Sequence, residues 1–428
     1  MSERASPPPV RRRYLVLFLL LILPLVTRDR AWIETDPMAG IGGLRKIMRT
    51  LNEIKARAAN YPGDAKLYEA AIAAMLNTVG DRYTNYMPPE ALRNVENYMT
   101  DTPIGGIGGY FTPIPGRGLR LDGLVPAAAA AAAGMRPGDI ITVVDGFSLD
   151  GISEERMAGL LMGTPGSAVN LTYERDGESS DVSLKRWAFP KRTVSGEEML
   201  DGRPRLGYVH LQVFSHDAAS DLDAAIGRLR RRGARGLILD LRGNGGGEME
   251  AGLAVADLFL ADGIVTRVER GDGGGHWMRP LDILGGGVYR ARPGGPHEDL
   301  PLALLVDGVT ASASELVAAA LRDNGRAFLV GTKTFGKARI QELRSLGSGV
   351  GDGGMRITVA RFLTPKDVDF EGAGLEPDIA LSLTEDEERV LRGNLTSKWF
   401  GLDPLIPDDP VIGKAAKRLR EILSRGGD

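Results

Sequence analysis

The chain is 428 residues long, with 53 Lys+Arg against 56 Asp+Glu, four His and no Cys. At roughly 100–200 residues per domain this length predicts two to four domains, and a net charge of −3 argues against nucleic acid as a partner. The lack of Cys excludes disulfides, thiolate metal sites, a Cys nucleophile and a lipidated-Cys anchor, and the four scattered His form no HExxH-type zinc cluster. No metal or organic cofactor is expected. Glycine is the compositional outlier, 57 residues or about 13% against a usual ~7%, and much of it falls in short loops.

Residues 1–30 read as a signal-anchor or signal peptide. Arg11, Arg12 and Arg13 precede thirteen largely apolar residues, Tyr14 to Val26, the pattern of a positive n-region and an h-region. No small-x-small cleavage site follows, which favours an uncleaved anchor over a cleaved peptide. The arginines then stay cytoplasmic and the rest of the chain lies outside, in a periplasm or cell envelope. Residues 31–98 form a helical region: Ile47, Leu51, Ile54 and Ala58 recur at helical spacing, and a second apolar run from Leu67 to Leu76 stops at Gly80. Residues 99–185 change to short β-type runs with Gly/Pro turns, such as Ile140–Val144 and Ala168–Tyr173. The alanine run Ala127–Ala133 reads as a short helix. Residues 186–385 alternate strand and helix, an α/β pattern. Residues 386–428 close with an amphipathic helix over Val411–Leu423.

Three loops of the α/β part carry candidate chemistry. The apolar strand from Gly236 ends in Arg242-Gly243-Asn244-Gly245-Gly246-Gly247 ahead of a helix. Such a loop aims backbone N–H groups at an anion, whether a phosphate or the oxyanion of acyl transfer, or it is only a turn. The strand Leu302–Asp307 runs into Gly308-Val309-Thr310-Ala311-Ser312-Ala313-Ser314-Glu315 and a helix. A serine of this turn suits a nucleophile between small neighbours, while Ser314 with Glu315 alone would suit a helix cap. Finally, Lys337 sits between Gly336 and a stretch in which Lys337, Arg339 and Gln341 share a face. A desolvated lysine can act as a base for a serine that lacks a histidine, and a nearby amide can align it; a solvated lysine is the plainer alternative.

In order and spacing these segments resemble the carboxyl-terminal processing peptidases, or tail-specific proteases. Ser312 lies in Ala-Ser-Ala-Ser-Glu, Lys337 follows 25 residues later and Gln341 four beyond that. The resemblance implies Ser312 as nucleophile, Lys337 as general base and Gln341 as the residue that orients the base. It assigns the oxyanion hole to Gly246 and the amide of Ala313, with Gly247 as a one-residue alternative. It also implies an α+β multidomain fold: a ClpP/crotonase-like α/β protease core, an inserted PDZ β-sandwich-like domain and a helical N-terminal region. Asp81-Arg82-Tyr83-Thr84-Asn85-Tyr86-Met87-Pro88 resembles the segment ahead of the PDZ domain, and Gly105–Phe111 with Gly134–Ile141 resemble that domain itself.

A PDZ glycine loop binds a peptide's C-terminal carboxylate while the peptide adds as a strand. Ile107, Gly108 and Gly109 are the candidate binding residues there, with Ile107 and Leu160 receiving the terminal side chain. The chain departs from the resemblance at Met162, where many members carry an arginine that couples PDZ position to the active site. Glycine-rich stretches at Arg344–Gly354 and Gly271–Gly295 are longer than usual and read as lids or partner contacts. The expected partners are protein or peptide substrates with free C-terminal tails and the membrane through the N-terminal segment; an activating adaptor or lipoprotein and a homo-oligomer stay open. Competing readings are a catalytically idle PDZ scaffold or hydrophobic-ligand binder on the same fold, a crotonase-type enzyme, and a Ser-His-Asp triad through His210 or His216.

Overall fold

The computed structural model describes residues 37–89, 91–93, 95, 104–125, 128–152, 154–189, 193–270, 287–347, 353–384, 387, 391 and 409–425. The N-terminal apolar segment, the glycine run at 271–286 and residues 348–352 lie outside these. Among the described residues no helix is long and apolar enough to cross a membrane. Contacts divide the chain into two units, 1–74 and 75–428. The first contains the helix Pro37–Arg57 and the beginning of the helix Asp64–Asn77. Along the first helix, Ile47 is exposed while Leu51 and Ile54 are half-buried.

In the second unit a six-stranded sheet has the order Val194–Leu200, Leu206–Leu211, Gly236–Asp240, Leu302–Val306, Ala327–Gly331, Ile379–Ala380. The first pair is antiparallel and the remaining pairs are parallel. The central strands are buried at every position, as their unbroken apolar runs require of a sheet covered on both faces. Alternate residues feed opposite layers. Leu237, Leu239, Leu304 and Val306 pack with the helices Ala218–Arg231, Met249–Asp257 and Ala313–Asp323. Ile238, Ala303 and Leu305 pack instead with Val411, Ala415 and Leu419 of the helix Pro410–Arg425.

That last helix is tied to the sheet by charge. Asp409 accepts the N–H groups of Val411 and Ile412, capping the helix, and pairs with Arg242 at 2.8 Å; Arg242 also pairs with Asp240 at 2.6 Å. All three side chains are buried. Burial works against the Asp240 charge, but Arg242 outweighs it and holds the carboxyl below its ordinary value.

A second sheet joins Asn85–Met87, Gly354–Leu363, Ile264–Arg270 and Gly287–Arg290, with Arg339–Ser345 also paired to Gly354–Leu363. Residues 109–185 form a separate antiparallel sheet with Gly109–Ile114 on one edge and its own core, including Leu121, Ile141, Leu149 and Val169. The chain enters and leaves this module side by side, through the paired strands Ile104–Gly106 and Trp187–Phe189. Arg186, buried, donates to the carbonyls of Leu160 and Leu161 at the end of the helix Glu154–Leu161, satisfying acceptors a helix terminus leaves open.

Removing one member of a buried ion pair strands the others. Arg242→Met should lower unfolding free energy by about 3–5 kcal/mol, measured by urea denaturation. Because the Asp240 pKa is depressed on folding, its contribution is present above the usual carboxylate range and is lost as pH falls through the folded value. An unchanged denaturation midpoint in the variant at pH 7 would contradict this account.

Candidate active site

The turn after the strand Leu302–Val306 reaches the helix Ala313–Asp323 through Ser312, whose φ is +59° and ψ −119°. A side-chain-bearing residue adopts such a backbone only where its surroundings over-determine it, at a cost of about 1–3 kcal/mol. Here they do. Asn244 O accepts from Ala311 N–H at 3.1 Å and Ser314 Oγ at 2.9 Å, and Thr310 Oγ1 donates to Leu241 O at 2.9 Å. The serine turn is thereby stitched to the glycine loop on the neighbouring strand. The sharp bend lifts Ser312 to the start of the helix, a position favourable to developing negative charge.

Glu315, with no solvent exposure, is the hub of this region. Its Oε2 accepts the N–H of Ser312 at 3.0 Å and that of Lys337 at 2.8 Å. Its Oε1 accepts Gly336 N–H at 2.7 Å and Thr334 Oγ1 at 2.5 Å. One carboxylate therefore fixes the backbone of the candidate nucleophile to that of the candidate base. Burial pushes the Glu315 carboxyl above its ordinary value, against the opposing pull of these four hydrogen bonds. Read as sequence, Glu315 suggested only a helix cap; the signal was its place three residues after Ser312, the capping-box spacing.

Lys337 is half-buried and precedes the strand Arg339–Ser345. Lys337, Arg339 and Gln341 alternate with the buried Ala338 and Ile340, the two-residue period expected from sequence. Gln341 Nε2 lies 3.5 Å from Thr358 Oγ1 on the paired strand. The Lys337 Nζ lies over the ring of Tyr83, 5.1 Å from its centroid. Tyr83, from the segment ahead of the PDZ-like module, is buried, and its hydroxyl donates to Glu371 Oε1 at 3.0 Å.

Gly246 has φ +102°, and a Cβ there would meet Ala311 O and Ser312 Cβ at 2.8 Å and Ala313 N at 3.0 Å. Only glycine lets the loop approach the serine so closely. Its N–H donates to Asn244 Oδ1 at 2.9 Å, so offering this amide to an oxyanion requires that bond to be exchanged. Gly247 lies against Phe214, where a Cβ would sit 2.2 Å from the carbonyl oxygen. Ala313 is the first helical residue, whose amide has no acceptor within its own helix.

The PDZ candidates are spread over the loop ahead of the antiparallel sheet, its edge strand and the helix Glu154–Leu161. Ile107 is buried, and its carbonyl accepts Ala130 N–H at 2.9 Å. Gly108 has φ +82° and packs so tightly that a Cβ would come within 2.0 Å of Ala128 Cβ. Gly109 opens the edge strand Gly109–Ile114, and Leu160 is half-buried on the helix Glu154–Leu161. Among the described residues no histidine is hydrogen-bonded to Ser312. His210 Nδ1 meets Ser195 Oγ at 3.0 Å and its Nε2 meets Arg242 O at 3.1 Å, so both ring nitrogens are engaged. His216 is exposed, and His297 pairs with Asp223 at 2.8 Å.

The model for Peptidase family S41 matches residues 205–381, and that for the PDZ domain matches residues 116–185. A carboxyl-terminal-processing protease of a Picosynechococcus is 34% identical over 324 residues, covering 73% of this chain and 72% of that protein. A carboxy-terminal-processing protease of Bartonella bacilliformis is 29% identical, covering 95% and 94%. Among solved structures, a photosystem II D1 C-terminal processing protease superposes with a TM-score of 0.55 at 29% identity, covering 83% of this chain and 92% of that one. The protein is a serine peptidase with a PDZ domain. It belongs to the carboxyl-terminal processing peptidases of family S41.

Glu315→Gln keeps the shape but supplies one acceptor oxygen and two N–H donors to a site that holds four donors. Turnover should fall on the order of 100-fold, the scale of a small misplacement of reacting groups, and stability by about 1–3 kcal/mol for each donor left unsatisfied. Steady-state kinetics and urea denaturation on the same preparation check both. Wild-type kcat in this variant would remove Glu315 from the catalytic arrangement.

Proposed function

We propose that the chain is a Ser–Lys endopeptidase that binds free C-terminal tails of protein substrates through residues 99–185 and cleaves them in the core of residues 186–385. The reading is carried by one observation: the positive-φ serine and the lysine 25 positions later are held by the same buried carboxylate. Neutral Lys337 takes the proton of Ser312 Oγ as the oxygen attacks the scissile carbonyl. The amide of Ala313 at the helix start stabilises the oxyanion, joined by that of Gly246 once it releases Asn244. The lysine ammonium then protonates the leaving amine; the neutral lysine next takes a proton from the water that attacks the acyl-enzyme and returns it to Ser312 Oγ as the ester bond breaks. Gln341, whose amide nitrogen faces Thr358, keeps its carbonyl oxygen to orient the lysine. Metal and cofactor play no part in this scheme.

Tail recognition follows from the module's exposed edge. A peptide adds alongside Gly109–Ile114, its carboxylate meets the amides of Ile107, Gly108 and Gly109, and its last side chain enters between Ile107 and Leu160. Residues 1–30 place the enzyme outside the cytoplasmic membrane, anchored by the apolar run of residues 14–26.

An unstructured reporter with an apolar tail provides the test, assayed with the full chain beside Ser312→Ala and Lys337→Ala. Both substitutions should remove all but about 0.1% of kcat, and amidating the reporter's terminus should raise KM while altering kcat less. Cleavage that persists in folded Ser312→Ala overturns the nucleophile assignment, and equal KM for free and amidated tails overturns carboxylate recognition.

A further inference from the structure

The segment Asp81-Arg82-Tyr83-Thr84 is used by none of the steps above, yet it is built against the lysine from two sides. The ring of Tyr83 lies beneath Lys337 Nζ at 5.1 Å, within the range at which an ammonium is attracted to an aromatic face. The Tyr83 hydroxyl donates to Glu371 Oε1, and the other oxygen of Glu371 accepts the N–H of Ala338 at 2.8 Å, one residue past the lysine. Arg82 completes the cluster: it pairs with Glu371 at 3.1 Å, hydrogen-bonds the Tyr83 hydroxyl and lies over the Tyr83 and Phe335 rings.

The segment is itself held from within and from the sheet. Asp81 accepts the N–H of Tyr83 at 3.0 Å and the hydroxyl of Thr84, and Thr84 Oγ1 accepts Thr358 N–H at 3.1 Å. Thr358 is the residue that faces Gln341. The same short segment thus touches the surroundings of both the lysine and the glutamine.

We propose that Tyr83 is the positioning residue of Lys337: its ring is the surface on which the ammonium formed during serine attack is stabilised and held. The proposal rests on the reading of Lys337 as the base. A lysine base gains and loses its charge once in acylation and once in deacylation, and a wall that favours the charged form assists the step in which the serine proton is taken. A neutral ring does so without a second ionisable base competing for that proton. Burial pushes the Tyr83 hydroxyl up to about 12, so the ring stays a neutral phenol over the working range. Charged groups near the lysine include Arg82 from the same segment as Tyr83, Glu315 from the helix start, Glu371 behind Ala338 and Arg339 on the strand that follows. None of them is altered in the comparison below.

The experiment is the pH profile of kcat/KM on the reporter for the full chain, Tyr83→Phe, Tyr83→Leu and Lys337→Ala. Leucine keeps apolar bulk and removes the π face; phenylalanine keeps the face and removes the hydroxyl. Loss of the face destabilises the ammonium, so the midpoint in Tyr83→Leu should move roughly half to one pH unit lower, with a plateau on the order of 10-fold down. Tyr83→Phe should hold the wild-type midpoint, and Lys337→Ala should lose turnover. Tyr83→Met gives the same comparison if the leucine variant does not fold. Leu and Phe variants with the same midpoint overturn the role of Tyr83 and leave the lysine base standing. Wild-type turnover in Lys337→Ala overturns the base assignment, and the Tyr83 proposal with it.

Discussion

A carboxylate without solvent contact, receiving four hydrogen bonds from residues 312 to 337, is the constraint around which the candidate active site of this protein is organised. A buried charge of this kind is tolerated only when its acceptor capacity is filled. Filling it fixes where the serine turn, the Thr334–Lys337 loop and the helix start must be. Each of these would be a mobile loop on the surface of a sheet. Around Glu315 they become one rigid body, and the strained backbone of Ser312 is stabilised by bonds its neighbours need in any case. Rigid support from outside the reacting groups is what keeps a constellation within reach of productive geometry.

The same division of labour recurs at the glycine loop. Gly246 approaches the serine because it has no side chain, while Asn244, two residues earlier, uses its carbonyl and its amide to lock the loop to the serine turn and to Leu211. Asp307 accepts Gly243 N–H and the N–H groups of Val309 and Thr310 in its own turn. These are polar residues at the ends of buried strands, where the sheet stops supplying partners and side chains must take over. The site is thus a set of strand ends joined to one another before any substrate arrives.

The strands of the core were legible in the sequence because burial on both faces leaves an unbroken apolar run, as in Leu302–Val306. Ser312, Lys337 and Gln341 were picked out by their spacing along the chain, and the structure brings the backbones of the first two onto one carboxylate. Glu315 was visible only as a cap, since four residues of sequence cannot tell a helix N-terminus from a hub that also serves a loop 21 residues later. Asp409 and Arg242, 167 positions apart, meet only through the fold, and neither neighbourhood signals the other. Tyr83 lies in a recognisable segment, but its aim at Lys337 depends on a strand pairing, Asn85–Met87 against Gly354–Arg356, that no local pattern announces.

The helix Pro410–Arg425 follows the described strands of the core in the chain yet packs on one face of the central sheet and follows directly on Asp409, the second counter-charge of Arg242. A chain without that helix would leave the apolar face carrying Ile238, Ala303 and Leu305 open to water and Arg242 with Asp240 as its remaining counter-charge. The last segment of the described chain is therefore part of the support on which the glycine loop rests.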